Sequence, residues 1–332
     1  YTGHGLSHGH YDKLNIQLFD KGYEILQDYG AVRYINIEQK WGGRYLKETN
    51  SYAQQTIAHN TVTVDEKSHY GGDEKTSQSQ HAQLLFSNLY NPDCLVVAAS
   101  DDKAYAGISM QRMETLVRDS QTDKKFVFDF FDIISDSLHQ YDLPFNYQGT
   151  LMKTNFAYHS FNDTMTTMGN SNGYQHLWKQ AYASPANPFT QMTFLNHNTF
   201  YTISTLSSNN AEVYFTQTGA NDPDFNLRRE PSMILRTKGR RQIYFTVIEI
   251  HGDFSPISEV ARQSYPGVRS IKAIPAGPEF LAFEVMENEN TWMIVKCVTD
   301  LGNASDHTFT FEGKTFNWKG PFGVFKNGVK YN

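Results

Sequence analysis

Alternation of apolar and polar residues with a period of two is the feature that most limits what this chain can fold into. Side chains i and i+2 of a strand point to the same face of a sheet, so such alternation is typical of half-buried strands. Turns rich in Asn, Asp and Gly separate the alternating segments, and helical periodicity with caps is rare. The alternating segments are Asn60–Val64, Lys125–Phe131, Gln242–Ile250, Phe280–Val285, Trp292–Val298 and His307–Phe311. The pattern predicts an all-β chain, built as a large antiparallel β-sandwich or stacked sheets.

Domain organisation is indicated by a pause in the strand pattern. The proline-containing segment Gly252–Pro266 interrupts the alternation, and compact predicted strands follow it. We therefore predict a large β domain over residues 1–255 and a smaller C-terminal β cap over residues 256–332. The polar segment Ser68–Gln80 is predicted to be an exposed loop, and a lid over a site is one use for it.

Composition and missing motifs weigh against several classes of function. The chain has 29 basic and 35 acidic residues, a net charge of −6, so it lacks the basic footprint of a nucleic-acid-binding protein. Recognition of a polyanion would need a local cationic pocket. No segment approaches the roughly 18–20 apolar residues of a membrane span. The sequence also lacks a Gly-x-Ser-x-Gly elbow, a P-loop, a dinucleotide fingerprint and a His-Glu-x-x-His motif. Cys94 and Cys297 neither form a ligand cluster nor establish a disulfide.

Histidines near the start of the chain suggest a metal site. In Ser7-His8-Gly9-His10 the two imidazoles would face the same space on an extended strand. Asp28 and His59 follow in or beside other predicted strands, and His10, Asp28 and His59 are sufficient as three ligands for zinc. The alternative is that both histidines are structural and that Asp28 caps a turn.

Arginines and a tyrosine make the segment 28–46 a second candidate. Arg33, Arg44 and Tyr45 lie in an aromatic, glycine-containing run. Arginine pairs with carboxylates in a bidentate manner, and a nearby cation lowers the pKa of a tyrosine, which can then exchange a proton with a substrate. The alternative is a surface turn with solvated arginines and a packing tyrosine. The segment His139–Asp142 is interpreted as core or loop.

A family resemblance emerges from the sequence motifs. The runs GLSHGHYDKLNIQLFDKGYEILQDYGAVRY, GGRYL and QTIAHNTVTVDEKSHYGG, between Gly3 and Gly72, resemble the C-terminal half of heparinase II/III-like polysaccharide lyases. Within that group the motifs are most similar to exo-acting oligoalginate lyases of polysaccharide lyase family seventeen. Those enzymes join an N-terminal α/α toroid to a C-terminal antiparallel β region. The resemblance implies that this chain is the β region alone.

The resemblance also implies roles for individual residues. His10, Asp28 and His59 match the family's structural zinc ligands, and Tyr45 matches an active-site tyrosine implicated in proton transfer. His8 and Arg33 match substrate-contacting positions, and Glu259 is a further match by eye in the C-terminal part. The resemblance therefore implies that Tyr45 is catalytic, that His8, Arg33 and Glu259 bind substrate, and that His10, Asp28 and His59 bind zinc.

The implied activity is β-elimination of alginate oligosaccharides in the periplasm or outside the cell. In the family the toroid supplies an asparagine–histidine pair and another tyrosine, which nothing in this chain matches. We therefore expect an N-terminal α/α toroid as partner, in cis or as a separate polypeptide, and little lyase activity without it. A homodimer stays open. The alternatives are a lyase acting on heparin-like or other uronic-acid glycans, and a non-catalytic, zinc-stiffened carbohydrate-binding β module.

Overall fold

The structure is a computed structural model that describes residues 9–30, 46–161 and 163–331. Strands dominate the described residues, and the all-β prediction is confirmed. The strands are β1 Leu18–Asp20, β2 Tyr23–Leu26, β3 Thr63–Val64, β4 Gln83–Asn88, β5 Cys94–Asp101, β6 Ile108–Asp119, β7 Lys124–Phe145, β8 Thr150–Thr154, β9 His159–Ser160, β10 Leu177–Ala183, β11 Phe189–Asn196, β12 Thr199–Ser207, β13 Glu212–Thr218, β14 Pro231–Ser255, β15 Val260–Arg262, β16 Val268–Ile274, β17 Phe280–Glu287, β18 Asn290–Cys297, β19 Asp306–Phe311, β20 Lys314–Lys319, β21 Phe322–Lys326 and β22 Val329–Lys330.

Helical structure is limited to short pieces. The α-helix α1 spans Glu74–Ser79, a π-helical turn spans Thr49–Ala53, and 3₁₀ turns span Thr56–Ala58, His69–Gly72 and Tyr174–His176. Among the described residues, none of these helices has the length and apolar character needed to cross a membrane.

One large antiparallel sheet organises the chain. Its main path runs β4-β5-β6-β7-β14-β12-β11-β8, and the remaining strands of this sheet branch from that path. Its longest strands, β7 and β14, pair from Phe145 with Met233 to Lys125 with Ile250. The register jumps between Gly239 and Arg241, where β7 carries extra residues. The sheet is therefore continuous through this pair but locally distorted at one point.

A smaller sheet packs against the large one. Its order is β16-β17-β18-β21-β22, and an apolar cluster joins it to β5, β6, β7 and β14. The Trp292 ring of the small sheet lies 5.8 Å from the Phe126 ring and 6.0 Å from the Phe128 ring. The short strand β15 still pairs with β14 in the large sheet, and the small sheet begins at Val268. The division into residues 1–255 and 256–332 stays a prediction.

The segment Ser68–Gln80 differs from the predicted exposed loop. It contains a 3₁₀ turn and α1, and the side chains of Ser68, His69 and Ser77 are buried. Asp73 caps α1, because its carboxylate accepts a hydrogen bond of 2.7 Å from the Thr76 amide. The predicted exposure is confirmed for Gly71, Asp73–Thr76 and Ser79. The prediction of a loop was wrong, because polar composition does not reveal that the His69 ring packs against Tyr105 at 5.0 Å.

Candidate functional site

His10, Asp28 and His59 come together in the structure and are called the metal cluster below. Their potential ligand atoms all lie within 4.8 Å of one another. Asp28 lies just beyond the end of β2, His59 follows a 3₁₀ turn, and His10 lies in an irregular segment. The three residues therefore meet. The prediction that they lie in or beside strands is confirmed for Asp28, which follows β2 by two residues, and was wrong for His10 and His59, which lie in irregular segments.

Asparagine side chains fix these irregular segments next to one another. The Asn60 side-chain amide donates to the carbonyl oxygens of Ile16, at 2.9 Å, and Gln27, at 2.7 Å. The Asn60 backbone amide donates to the Asn15 side-chain oxygen at 2.8 Å, and the Asn15 amide donates to Asp28 Oδ2 at 3.1 Å. Buried backbone groups of three segments are thereby satisfied without a sheet ladder. The position of Asp28 is fixed by the same bonds.

His59 and Asp28 form the tightest contact within the metal cluster. His59 Nδ1 lies 2.6 Å from Asp28 Oδ1, and the Gly30 amide donates to the same oxygen at 3.3 Å. Burial raises the pKa of Asp28, but the His59 ring outweighs it and the pKa falls to about 2. Burial lowers the pKa of His59, but the Asp28 carboxylate outweighs it and the pKa lies above its ordinary value. The Asp28 carboxylate is therefore ionised at neutral pH and offers an anionic oxygen of the kind that binds a metal ion.

His10 is the neutral member of the cluster. Its ring centre lies 5.2 Å from that of His59. Burial, followed by the neighbouring His59 ring, lowers the pKa of His10 to about 4 despite the opposing effect of Asp28. A neutral imidazole keeps the lone pair that a metal needs. Two imidazole nitrogens and one carboxylate oxygen at this spacing match the donor set that zinc accepts, with a fourth position left over.

Glu259 is the one other predicted site residue that the structure describes. His8, Arg33 and Tyr45 lie outside the described residues. Glu259 is exposed in the turn that connects β14 to β15, with a left-handed φ of 54°. The structure does not place Glu259 among the metal cluster residues. Its role in binding substrate stays a prediction.

A cation next to the metal cluster was missed by sequence reasoning. The Arg228 guanidinium lies 4.1 Å above the centre of the Tyr29 ring and donates to the Tyr29 carbonyl oxygen at 3.0 Å. The Arg228 side chain also pairs with Glu230 at 2.5 Å, and the Gln27 amide donates to Glu230 at 2.5 Å. The only signal in the sequence was the run Arg228-Arg229-Glu230, which does not reveal contacts with residues about two hundred positions earlier. Arg228 therefore places a guanidinium, paired with the Glu230 carboxylate, against Tyr29, the residue after Asp28.

Similar sequences give the family. The signature described as "Heparinase II/III-like, C-terminal" matches residues 1–266. An "Alginate lyase" of Stenotrophomonas maltophilia (strain K279a) is 33% identical over 320 residues, which cover 96% of this chain and 43% of that protein. An "Exo-oligoalginate lyase" of Saccharophagus degradans (strain 2-40) is 33% identical over 324 residues, which cover 96% of this chain and 44% of that protein. The chain therefore spans less than half the length of these relatives.

Similar solved structures support the fold. A crystal structure of heparinase III aligns with a TM-score of 0.54 at 15% identity, covering 88% of this chain and 36% of that one. The heparan sulfate lyase HepC of Pedobacter heparinus aligns with a TM-score of 0.55 at 12% identity, covering 89% of this chain and 38% of that one. At these identities the likeness concerns the fold alone. With the signature matching most of its length, the chain belongs to the heparinase II/III-like family, in the part described as C-terminal.

Proposed function

We propose that this chain is the β-sheet part of a polysaccharide lyase that cleaves alginate oligosaccharides exolytically by β-elimination. The observation that carries this proposal is the alignment of 96% of the chain, at 33% identity, with proteins named alginate lyase and exo-oligoalginate lyase. The shared fold with heparinase III is compatible with it. The metal cluster, which contains three of the implied residues, lends it further support.

The chemistry of the reaction fits the residue types of the implied site. Elimination removes the C5 proton of a uronate and breaks the C4–O bond, which leaves an unsaturated uronate. Charge developing on the uronate carboxylate must be neutralised, and Arg33 is the proposed partner. A base at C5 and an acid at the glycosidic oxygen are also required, and Tyr45 is proposed to transfer one of these protons. His8 and Glu259 are proposed as further substrate contacts.

The metal cluster is proposed to hold a structural zinc ion. Zinc bound there would supply a cross-link between the segments of His10, Asp28 and His59, whose ligand atoms already lie within 4.8 Å of one another. Asp28 lies five residues before Arg33, and its position is fixed by Asn15 and Gly30. The residues of the cluster would thereby hold the start of the segment that carries Arg33 and Tyr45. Their role is positioning rather than proton transfer.

The partner of this chain is proposed to be an α/α toroid, in cis or as a separate polypeptide. The relatives named above are more than twice as long as the region that this chain matches. The toroid would supply the asparagine–histidine pair and the second tyrosine that this chain lacks. The proposed location, the periplasm or the outside of the cell, follows from the family alone.

The test measures the ultraviolet absorbance of the new C4–C5 double bond. The protein expressed from its complete gene is incubated with oligoalginate, unaltered and as Tyr45→Phe. We expect Tyr45→Phe to lower kcat by about 10²–10⁴-fold, the usual contribution of one positioned proton donor or acceptor. Tyr90→Phe is the matched control, because Tyr90 is 94% exposed, and it should leave kcat unchanged.

Three results would count against the proposal. An absence of absorbance on oligoalginate, in a folded protein, would exclude the alginate substrate and direct the test to heparin-like glycans. Binding of oligosaccharide without a new double bond, unaffected by Tyr45→Phe, would identify a carbohydrate-binding module. Full turnover by residues 1–332 alone would exclude the requirement for a toroid.

A further inference from the structure

Outside the metal cluster, Ser137, His139 and Asp65 form a chain of hydrogen bonds that is called the triad below. Ser137 Oγ lies 2.8 Å from His139 Nε2, and His139 Nδ1 lies 2.7 Å from Asp65 Oδ2. Ser137 is exposed, and the His139 and Asp65 side chains retain 21% and 40% of their accessible surface. A nucleophile, a base and an orienting carboxylate in this order are the arrangement of serine hydrolases. The order of contacts is therefore right for acyl transfer.

The Asp65 carboxylate determines which nitrogen of His139 carries the proton. A carboxylate can only accept at neutral pH, so Nδ1 donates to Asp65 and Nε2 is left to accept from the Ser137 hydroxyl. Burial raises the pKa of Asp65, but hydrogen bonds from the Gln140 amide and from His139 outweigh it and lower the pKa. The base that Ser137 needs is thus in the productive tautomer before a substrate arrives.

The backbone holds Asp65 rigidly in front of His139. Asp65 and Glu66 form the two-residue turn between Val64 and Lys67, with φ of 51° and 57°. Such a turn costs energy for residues other than glycine, asparagine and aspartate, so the cost falls on Glu66 rather than on Asp65. The Asp65 amide donates to the Gln140 carbonyl at 2.9 Å, and the Gln140 amide donates back to Asp65 Oδ1 at 3.0 Å. The position of the carboxylate is therefore fixed relative to β7.

The turn is also anchored from its other side. Arg236 donates to Glu66 Oε1 at 2.8 Å, and the Asn172 side chain donates to the Glu66 carbonyl oxygen at 2.9 Å. These contacts hold the unfavourable left-handed conformation of Glu66 in place. Backbone strain maintained by surrounding contacts is commonly found at functional sites.

A distortion of β7 leaves the residue Ser137 exposed to solvent. The β6 register ends at Ser135, and the β14 register jumps from Ile134 directly to His139. Asp136, Ser137 and Leu138 therefore belong to neither ladder of the described strands. The Ser137 amide donates to Ser135 Oγ at 3.2 Å, which fixes the backbone within this bulge.

A cavity borders the triad on the side of Asp65 and His139. Its volume is about 410 Å³, and both of these residues line it. Val64, Ala106 and Ile108 supply apolar wall, and Lys67 and Lys103 supply positive charge. A volume of this size accommodates a small ligand. Ser137 is not among the lining residues, so the cavity adjoins the base and the carboxylate of the triad, and its lysines favour an ester that also carries negative charge.

We propose that the triad is a second active site that hydrolyses short-chain carboxylic esters, with preference for esters that carry negative charge. Ser137 Oγ bonds to the ester carbonyl carbon while its proton moves to His139 Nε2. The carbon–oxygen bond to the alcohol then breaks, and the proton passes from His139 to the leaving oxygen. Water attacks the acyl-serine and gives its proton to His139, which returns it to Ser137 as the acid departs. The sum is ester plus water giving acid plus alcohol.

The experiment uses the protein expressed from its complete gene, with 4-nitrophenyl acetate as the probe. We expect protein-dependent release of 4-nitrophenolate, and a loss of at least about 10²-fold in Ser137→Ala, the usual loss when an activated nucleophile is removed. Ser120→Ala is the matched control, because Ser120 is an exposed serine in the turn after β6. Asp65→Asn should also lower the rate, and asparagine tolerates the left-handed φ of this position, so the fold is retained.

A second measurement identifies the reacting residue. A fluorophosphonate probe should label Ser137, as found by mass spectrometry of the digested protein, and labelling should disappear in Asp65→Asn. Equal esterase rates in Ser137→Ala and the unaltered protein would overturn the proposal, as would exclusive labelling elsewhere. The Ser137→Ala variant should retain elimination of oligoalginate, so failure of this proposal and failure of the proposed lyase function are separately visible.

Discussion

Lys326 of the small sheet donates from its ammonium group to both carboxylate oxygens of Asp119 at the end of β6, with both distances 2.9 Å. Both side chains are buried, and Gln121 also accepts from Lys326 at 2.9 Å. The pair joins the two sheets at a place where water is largely excluded. An ion pair of this kind is costly to break by removing one partner, because the remaining charge is left buried.

Asp119→Asn should destabilise the protein most at neutral pH, and the effect should shrink as the pH falls into the acidic range. Burial raises the pKa of Asp119, but the hydrogen bond from Thr122 and the ion pair with Lys326 outweigh it, so the pKa lies below its ordinary value of 3.8. The pair's stabilisation is therefore fully present above this value and is lost as the pH falls through the lowered folded-state pKa. At pH 7 we expect a loss near the lower end of about 3–5 kcal/mol, because Gln121 still accepts from Lys326.

Urea unfolding of both proteins at pH 7 and at successively lower pH measures this difference. Asp123→Asn is the control, because the Asp123 ion pair with Arg118 lies in the same turn region with both side chains more than half exposed. Its effect should stay under about 1 kcal/mol at every pH. A difference between Asp119→Asn and the unaltered protein that is independent of pH would contradict the ion-pair explanation.

His10→Ala should abolish zinc binding without unfolding the chain. The variant removes one of the three donors of the metal cluster, and the His10 ring is only half-buried, so a small cavity results. Elemental analysis should give about one zinc per unaltered chain and close to none in the variant. If the free zinc concentration is 1,000 times the Kd of the site, removing the zinc with a chelator should lower the free energy of unfolding of the unaltered protein by about 4 kcal/mol. The same treatment should leave the stability of the variant unchanged.

The exposed His159 provides the control for that measurement. His159→Ala should keep full zinc stoichiometry and full sensitivity to chelation. If His10→Ala retained one zinc per chain, His10 would not be a ligand, and the metal assignment would have to be revised.

Strands with strict alternation could be predicted from the sequence, but their bounds followed closely only for short strands, because Lys125–Phe131 and Gln242–Ile250 lie inside the much longer β7 and β14. The segments Phe280–Val285 and His307–Phe311 correspond to β17 and β19, which differ from them by one or two residues at one end. The segment Asn60–Val64 is a strand only over Thr63–Val64. The Asn60 side chain donates hydrogen bonds to distant backbone carbonyl groups, which holds the start of the segment in an irregular conformation. Local alternation does not show where a polar side chain finds its partner.

The candidate sites were predictable to the extent that their residues are close in sequence or belong to a known motif. The metal cluster was proposed from residue types, but the two asparagine side chains that hold Asp28 and His59 were not. Asp65 and His139 are 74 positions apart, and only the pairing of β3 with β7 brings them together. Contacts between residues so far apart in the sequence depend on strand register, which the sequence pattern leaves undetermined.

Both cysteine thiols should be unreactive in the folded protein. Cys94 and Cys297 are free and buried, and burial raises the pKa of Cys94 to about 12 and that of Cys297 to about 11. The thiolate is the reactive form, so a thiol reagent at pH 8 should modify neither residue until the protein unfolds. Titration with a chromogenic disulfide should then give two thiols per chain in denaturant. Rapid modification of one thiol in the native protein would contradict the buried positions.

Phe283→Ala should weaken the junction between the sheets more than any exposed change on the same strand. The rings of Phe245 in β14 and Phe283 in β17 are stacked with centres 4.3 Å apart and planes 2° from parallel. Both are buried in the apolar cluster that joins the sheets, so truncation leaves a cavity that neither sheet can fill without moving. We expect a loss of about 3–5 kcal/mol in the free energy of unfolding.

Met286→Ala on the same strand is the control. Because Met286 is 40% exposed, this substitution should cost about 0.5 kcal/mol or less. Urea unfolding followed by tryptophan fluorescence reports on Trp292 at this junction, and a loss below about 1 kcal/mol in Phe283→Ala would mean that the stacked rings contribute little to holding the small sheet in place.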